Sequence, residues 1–302
     1  MRNTARTFAL ILAFTALVAT AGGCQWLPGA GGDDSAGSGQ ASDDRAGQAG
    51  ANTHDDNKAE GKQEDVVLSN RLVRFTIASP QKTCPPGQGG GHVTDASTRD
   101  GKDRLRLLLP RIGLDRTEYP VYTSLESTRD SPAAEDVPAN ATAEGHLGGH
   151  PSIKVATTYR LEKGSHTLDI TTRLTNEGAV CFHDVRLQDA VYNGRTVRFA
   201  EGLGLYPRGL EGNIDWLSFF ADGQVCGLWA ADRRPMSSRH RVGVSRLTYD
   251  TVSLPPGGKA SWSRSLMVNR GDPSPVRSAM LDGLLQPDAE ATVSITDTTG
   301  KP

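Results

Sequence analysis

Apolar and polar residues alternate with a period of two through much of the segment 153–231. In its first run, Ile153, Val155, Tyr159 and Leu161 alternate with polar or small residues. A period of two puts successive side chains on opposite faces of a strand, so this run predicts a strand with one buried face. A Glu-Lys-Gly-Ser turn separates it from a second run of the same kind, and the two runs predict an antiparallel pair.

Two further hairpins are indicated by turn dipeptides. Asn193-Gly194 ends an alternating run that begins at Cys181, and it suits the positive φ angles of a type I′ turn. Residues 195–199 are therefore predicted to be the return strand of that hairpin. Asp222-Gly223 joins two more apolar runs in the same way. Consecutive strands with no helix between them predict two antiparallel sheets packed face to face, so the predicted fold class is all-β.

The predicted β domain covers residues 66–269. A short edge strand is predicted to begin near Pro120, because proline cannot donate to a central ladder. Residues 127–151 have few aliphatic side chains and contain several glycines and prolines, so they are predicted to form a long loop. Residues 232–241 are predicted to form another loop.

Residues 270–302 are predicted to hold a linker, a short helix and the start of a C-terminal β domain. The helix is predicted over residues 275–285 with Ser274 as N-cap, and Val276, Met280 and Leu284 are predicted to lie on its apolar face.

The first 24 residues have the pattern of a targeting segment rather than of a folded element. Arg2 and Arg6 precede an apolar run of 12 residues, which is too short as a helix to span the roughly 30 Å hydrocarbon core of a bilayer. Small residues then lead into Cys24. This order resembles the signal peptide and lipobox of bacterial lipoproteins, and the resemblance implies that Cys24 carries lipid. The alternative is an ordinary secretory signal that contains a cysteine.

Residues 25–65 are rich in Gly, Ala, Ser, Asp and Gln, with no aliphatic side chain between Leu27 and the domain except alanine. Such a segment cannot bury enough apolar surface to fold, so it is predicted to be a disordered tether. Gln25, rather than aspartate, follows Cys24, and the lipoprotein resemblance then implies the outer membrane. The expected location is the bacterial cell envelope, with lipid on Cys24 as the contact with the membrane.

Composition argues against nucleic acid as a partner. The 302 residues carry a formal net charge of −2, and no stripe of lysine and arginine is interleaved with aromatic residues. A hydrophobic content of 36% is enough for a sizeable core in a chain of this length.

The cysteines leave several pairings open once Cys24 is assigned to lipid. Cys181 and Cys226 both lie on predicted strands and could form a disulfide, whereas Cys84 lies in a loop rich in proline and glycine. All three could instead be small buried residues.

The histidines give no firm metal site. His146 and His150 are four residues apart in the predicted loop 127–151, but no third ligand can be assigned to them. Neither a metal nor a cofactor is therefore predicted. His183 alternates with apolar neighbours and is predicted to lie in the core.

The best candidate site lies in the glycine-rich segment 201–216. An aromatic ring can stack on the apolar side of a sugar, while amide, carboxylate and guanidinium groups bond to its hydroxyls. The alternative is a rim loop whose aromatic rings cap the core. The predicted ligand-binding residues are Tyr206, Arg208, Glu211, Asn213, Asp215 and Trp216.

Four short motifs share an order that is found in one known fold. They are Tyr159-Arg160-Leu161, Leu168-Asp169-Ile170, Leu174-Thr175-Asn176-Glu177-Gly178 and Leu254-Pro255-Pro256-Gly257. In this order they resemble the β-supersandwich of galactose-mutarotase-like domains, over residues 66–269. Enzymes of that family carry an Asn-His pair followed by a Tyr-Phe-Asn element. The corresponding region of this chain, Asp189-Ala190-Val191-Tyr192-Asn193-Gly194, has no histidine, so the resemblance implies the fold and no catalytic residue. Residues 297–302 resemble the opening of a carboxypeptidase-regulatory-like domain.

Two functional hypotheses follow. The first is an envelope-anchored lipoprotein whose β-sandwich is a non-catalytic module that binds carbohydrate or an envelope protein. The alternative is a carbohydrate-active enzyme of the epimerase or lyase type, in which His183 or His240 acts with Asp215 or Glu211 as acid and base. In a variant of the alternative, the chain is the accessory module of a metallohydrolase whose catalytic domain is absent here.

Overall fold

The computed structural model describes residues 64–84, 89–101, 105–114, 116–128, 138–194, 196–205, 211–241 and 243–281. In chain order the elements are β1 (Val66–Ser69), β2 (Val73–Ile77), β3 (Val93–Thr98), β4 (Leu107–Gly113), β5 (Thr117–Glu118), β6 (Pro120–Ser127), β7 (Ala139–Leu147), β8 (Ile153–Leu161), β9 (Thr167–Asn176), β10 (Phe182–Tyr192), β11 (Val197–Ala200), β12 (Gly204–Leu205), β13 (Glu211–Ile214), β14 (Trp216–Ala221), β15 (Gln224–Ala230), β16 (Met236–Arg241), β17 (Val244–Leu254), β18 (Lys259–Arg270) and α1 (Ser274–Leu281).

Several predictions concern residues outside the described ranges. These are the leader 1–24 with its lipidation site Cys24, nearly all of the tether 25–65, the ligand-binding candidates Tyr206 and Arg208, and the C-terminal β domain expected after residue 281.

The strands form two nine-stranded antiparallel sheets. The order in the first sheet is β1-β2-β3-β4-β10-β17-β16-β13, with β5 paired to β4. The order in the second sheet is β12-β11-β14-β15-β18-β9-β8-β7-β6. Apolar residues of both sheets meet in a shared core that includes Phe75, Leu187, Leu247, Tyr159 and Leu266. The predicted all-β architecture of two antiparallel layers is confirmed.

The period of two predicted β8 and its partner correctly. Ile153, Val155, Tyr159 and Leu161 are all buried, and the strand pairs with β9 in antiparallel register from Ile153 opposite Asn176. The hairpin of β14 and β15 is also confirmed, with positive φ angles of 46° at Asp222 and 74° at Gly223.

The predicted hairpin at Asn193-Gly194 is wrong. Residues 197–200 do form a strand, but β11 pairs with β12 and β14 of the second sheet and not with β10 of the first. Asn193 is buried, and its side-chain amide donates to Thr196 Oγ1 at 2.9 Å. The chain thus crosses from the first sheet to the second between β10 and β11. The prediction failed because a turn dipeptide determines a local bend but not the strand with which the next segment pairs.

The predicted loops 127–151 and 232–241 are also wrong in part, because each contains a strand. β7 lies between β6 and β8 in the second sheet, and β16 lies between β13 and β17 in the first. The buried positions of β7 include Ala139, Ala141 and Ala143, whose small side chains give a weak hydrophobic pattern. The edge strand predicted to begin near Pro120 is confirmed, since β6 begins at Pro120 and is the last strand of the second sheet.

Helix α1 covers the outer face of the second sheet. Val276 and Met280 are buried, as predicted, against a cluster that includes Trp216 and Trp229. A Cβ at Gly227 would lie 2.2 Å from Val276 Cγ1, so glycine is required for this close approach. The N-cap differs from the prediction.

Asp272 rather than Ser274 caps helix α1. The side chain of Asp272 accepts a hydrogen bond from the Ser274 amide at 2.9 Å, which leaves Pro273 in the first turn. Hydrogen bonds from the backbone and the side chain of Ser274 lower the pKa of the Asp272 carboxyl. No helix in the described ranges is both long and apolar enough to cross a membrane.

An ion pair is buried between the two sheets. Arg264 of β18 is 1% exposed, and its Nε lies 2.8 Å from Oδ2 of Asp189 on β10, which is 0% exposed. Tyr249 donates a hydrogen bond to the same carboxylate at 2.8 Å, and Arg264 Nη1 donates to Thr172 Oγ1 at 2.7 Å. The pKa of Asp189 is raised to about 6 by burial, although Arg264 and the Tyr249 hydrogen bond act in the opposite direction.

The disulfide left open between Cys181 and Cys226 is not formed. Cys226 lies on β15 in the second sheet, and Cys181 directly precedes β10 in the first. Cys84 and Cys226 are buried, as small hydrophobic residues often are.

Candidate functional site on the outer face of the first sheet

Polar side chains form a row across four strands on the outer face of the first sheet. In this row Arg111 lies opposite Gln188, Gln188 opposite Thr248, and Thr248 opposite Ser237. The residues next to them in sequence, such as Leu187 and Leu247, face the core. The alternation of each strand therefore turns this polar row away from the second sheet.

Arg186, Arg239 and Arg246 surround this row. Together with Arg111 they line a cavity of about 260 Å³, which also includes Thr117, Gln188, Glu211, Ser237, Ser238 and Thr248. We call this surface the arginine face, and define it by Arg111, Arg186, Gln188, Arg239, Arg246 and Thr248. Two of its polar groups are held by each other, since Gln188 Nε2 donates to Thr248 Oγ1 at 2.8 Å.

Positive charge on the arginine face is only partly balanced. Arg239 forms an ion pair with Glu211 at 2.8 Å. Among the residues that the structure describes, no carboxylate lies within ion-pair distance of Arg111, Arg186 or Arg246. The pKa of Arg111 is lowered, first by burial and then by the positive charges of Arg246 and Arg186. The guanidinium groups of Arg246 and Arg186 therefore both lie near that of Arg111, around the same cavity.

Arg111 is held in place by a neighbour. Its Nη2 donates to Thr117 Oγ1 at 2.5 Å, which fixes the guanidinium group while leaving other N–H donors for a ligand.

A tyrosine-lined apolar patch adjoins the arginines. Tyr119 and Tyr192 are partly buried and pack against Leu107, Leu109 and Ala190. The pKa of Tyr192 is raised by burial and by Tyr119, whereas Arg246 and Arg111 act to lower it. The tyrosines are thus near the guanidinium groups, and the site combines aromatic rings with cationic donors.

A larger cavity of about 660 Å³ shares Arg186 with the arginine face. Its lining includes Val180, Phe182, His183 and Thr251. β10 carries a bulge here between Phe182 and Val185, and Asp184 within it has a φ of 52°. A bulge re-aims side chains, and a non-glycine residue with positive φ is strained, so this end of the strand has an unusual local geometry.

The structure separates the predicted ligand-binding residues. Glu211 lies on β13 and lines the arginine-face cavity. Asn213 is exposed on the same strand, opposite Ser237. Asp215 is exposed and joins β13 of the first sheet to β14 of the second.

Trp216 does not share that surface. It belongs to the second sheet, is 2% exposed, and packs in the cluster covered by helix α1. Its indole N–H donates to Glu201 Oε2 at 2.6 Å. A sugar cannot stack on a ring buried in this way, so the grouping of Trp216 with Glu211 and Asn213 is not formed.

The two histidines of the enzyme hypothesis differ in their exposure. His183 is exposed, so its predicted core position is wrong, and the reason is the bulge at Asp184, which breaks the period of two. His240 is 0% exposed, and its Nδ1 lies 2.9 Å from Ser245 Oγ. Burial and Arg198 lower the pKa of His240 to about 4. His240 thus faces inward, while Glu211 on the neighbouring strand faces outward.

Metal ligands do not converge within the described ranges, where no group of three His, Cys, Asp or Glu side chains could hold an ion. His146 Nδ1 lies 3.0 Å from the carbonyl oxygen of Leu147, and the ring of His150 packs edge-on against Phe182 at 5.1 Å.

The arginine face was not predicted from the sequence. The strand β10 was predicted from its buried residues, with Val185, Leu187 and Asp189, and the alternate residues Arg186 and Gln188 were left out of the candidate site. The signal in the sequence was the set of polar residues that alternate with the buried ones along each strand. These sets can be assigned to one surface only when the strand order of the first sheet is known.

Comparisons with known proteins give fold similarity only. No protein-family model matches the sequence, and no curated protein matches it either. Among solved structures, a family 36 α-galactosidase from Geobacillus stearothermophilus is 11% identical with a TM-score of 0.47, over 68% of this chain and 40% of that one. A glycosyl hydrolase family 38 protein from Enterococcus faecalis is 9% identical with a TM-score of 0.48, over 70% of this chain and 31% of that one.

A galactose mutarotase-like protein from Lactobacillus casei is 11% identical with a TM-score of 0.39, over 68% of this chain and all of that one. The chain spans about 40% of the length of the α-galactosidase. Because identities are this low and TM-scores lie below 0.5, the function has to be inferred from the residues of the site itself.

Proposed function

We propose that this chain is a carbohydrate-binding module of the bacterial cell envelope, anchored by lipid on Cys24, and that the arginine face is its binding surface. The observation that carries the proposal is the convergence of Arg111, Arg186 and Arg246 with polar donors around one cavity, next to the tyrosine-lined patch. Guanidinium and amide groups donate to sugar hydroxyl oxygens, and tyrosine rings suit the apolar side of a sugar.

The dimensions of the site also favour an oligosaccharide. The cavity of about 260 Å³ has room for a sugar unit, and Arg186 connects it to the larger cavity of about 660 Å³. Ligand sites in proteins are concave, and convergent polar groups fix the orientation of the ligand in them. An extended ligand can therefore contact both cavities at once.

A non-catalytic role is supported by the positions of the candidate acids and bases. Glu211 is paired with Arg239, and His240 is turned into the core. General acid and base groups must both come within hydrogen-bond reach of the substrate. An inward-facing histidine and an outward-facing carboxylate do not meet this requirement.

One observation favours the enzyme hypothesis instead. His183 is exposed and lines the larger cavity together with Asp184 and Arg186. If this cavity is catalytic, a glycan that binds the protein will be converted, and His183→Ala will abolish turnover while binding persists. Product analysis by mass spectrometry after long incubation distinguishes the two functions, since unchanged glycan is expected of a binding module.

Binding can be tested with the full chain in which Cys24→Ser removes only the lipid acceptor. On a glycan array, at least one carbohydrate class should bind, and Arg246→Ala should weaken that binding. Arg160→Ala is the matched control, because Arg160 is a surface arginine on the second sheet. Binding that is equal in the wild type and Arg246→Ala, or binding to envelope proteins alone, would overturn the proposal.

Anchoring is tested separately by growing bacteria that express the chain with labelled palmitate. Label should enter the wild type and not Cys24→Ser, and the labelled chain should fractionate with the outer membrane. An unlabelled wild-type chain would contradict the anchor.

A further inference from the structure

The arginine face differs from the places on the surface where an arginine is paired with a carboxylate. Arg160, Arg234 and Arg270 each have a carboxylate within 2.7 Å, from Glu162, Asp232 and Asp100 respectively. Arg111, Arg186 and Arg246 lie near one another instead, on three neighbouring strands. Like charges held together raise the energy of the unbound protein, and an anion placed among them would lower it.

The chemistry of these side chains is selective for oxyanions. A guanidinium group offers paired N–H donors in a plane, which match the two oxygens of a carboxylate or sulfate. Arg111 is already oriented by Thr117, so it loses little side-chain freedom when a ligand binds. Neutral sugars could use the same donors, but they would leave the charge unbalanced.

The shape of the site indicates a chain rather than a small ion. Arg186 lines both cavities, and together their linings reach from Glu211 on β13 to Phe182 at the start of β10. The tyrosine patch lies beside the arginines. A free phosphate would need only the guanidinium groups, whereas a polysaccharide would use the patch and the second cavity as well.

We propose that the ligand is an acidic glycan, with the carboxylate or sulfate of one sugar among Arg111, Arg186 and Arg246 and the following sugars along the larger cavity. This inference rests on the proposed carbohydrate-binding function and adds the charge of the ligand. A carboxylate on a uronic acid and a sulfate ester share the chemistry that the guanidinium groups recognise.

The test uses the full chain with Cys24→Ser and two matched pairs of probes. Polygalacturonate is compared with its methyl ester, and dextran sulfate with dextran, by biolayer interferometry at low and high salt. The acidic member of at least one pair should bind about tenfold tighter or more, and its advantage should shrink as salt rises. Which pair shows the advantage tells a carboxylate ligand from a sulfated one.

Variants connect the selectivity to the site. Arg246→Gln keeps a polar side chain but removes the charge, and it should reduce the preference for the acidic probe at least fivefold, whereas Arg160→Gln should leave it unchanged. A neutral probe that binds as tightly as its acidic partner, or selectivity that survives Arg246→Gln, would overturn the inference. If neutral glycans bind and Arg246→Gln weakens them, the proposed function survives without the acidic ligand. If no glycan binds, both fail.

Discussion

Arg264 and Arg246 illustrate two different environments for the same side chain. Arg264 is 1% exposed, lies 2.8 Å from Asp189, donates to Thr172, and packs over the Trp262 ring at 5.2 Å. Arg246 lies at the surface among other arginines, with no carboxylate at ion-pair distance in the described part of the chain. The carboxylate of Asp189 balances the charge of Arg264, whereas no carboxylate of the described residues balances the charge of Arg246.

This difference separates structural from functional roles. A buried charge that loses its partner has no water to replace it, so the Asp189–Arg264 pair constrains how the two sheets pack. A surface arginine that loses its neighbours remains solvated, so the fold gains little from the grouping of Arg111, Arg186 and Arg246. Stability should therefore depend on the first region, and ligand binding on the second.

The largest effect is expected from Arg264→Met, which keeps much of the side-chain volume but leaves Asp189 buried without its cation. The free energy of unfolding in urea should fall by about 3–5 kcal/mol. Arg239→Met, which breaks the exposed pair with Glu211, should cost less than about 1 kcal/mol. A loss of under 1 kcal/mol in Arg264→Met would show that the buried pair does not constrain the packing.

The second effect concerns ligand affinity. Arg246→Ala should weaken glycan binding about tenfold, equal to about 1.4 kcal/mol, because one charge-assisted contact is removed. The same change should alter the free energy of unfolding by less than about 0.5 kcal/mol. Calorimetric titration and urea unfolding of one protein preparation measure both quantities. A variant that loses stability and affinity together would remove the distinction between the two regions.

A third effect is the pH dependence of the buried pair. The pKa of Asp189 is about 6 in the folded chain, above its ordinary value of 3.8. The stability that this carboxyl contributes is therefore full below about pH 4 and is lost as pH rises through about 6. Relative to Asp189→Asn, the wild type should lose stability over that interval. Taking this difference cancels the opposite contribution of His240, whose pKa is lowered. A difference that does not change with pH would contradict the raised pKa.

The smallest effect is expected at His92, a buried polar residue without the partners that Arg264 has. His92 is 0% exposed, and neither ring nitrogen has a hydrogen-bond partner among the described residues. Its ring packs edge-on against Tyr122 at 5.1 Å, and phenylalanine can keep that contact. In His92→Phe the free energy of unfolding should stay unchanged or rise by up to about 1 kcal/mol, which thermal and urea unfolding would both show. A clear loss of stability would mean that the imidazole has a partner in solution.

The fold could be predicted from the sequence where large apolar residues occupy the buried phase of a strand. β8 and β9 are of this kind, with residues such as Tyr159 and Ile170 at buried positions. β7 was missed because alanines fill its buried positions. The crossing after Asn193 was missed because local turn chemistry does not determine which sheet the next strand joins.

The site was less predictable for a different reason. Glu211 and Asn213 were identified because they lie close together in sequence, and Trp216 was added to them for the same reason although it faces the other side of the fold. Arg111, Arg186 and Arg246 come from three strands that are distant in sequence, so only the strand order brings them together.

The most direct test of the account is the affinity ratio between polygalacturonate and its methyl ester, or between dextran sulfate and dextran, in a variant that carries Arg111→Gln, Arg186→Gln and Arg246→Gln together. The wild type should favour an acidic probe by about tenfold or more, and the triple variant should bind both members of the pair alike while unfolding at the same or a higher urea concentration. A triple variant that keeps the wild-type preference would contradict the account.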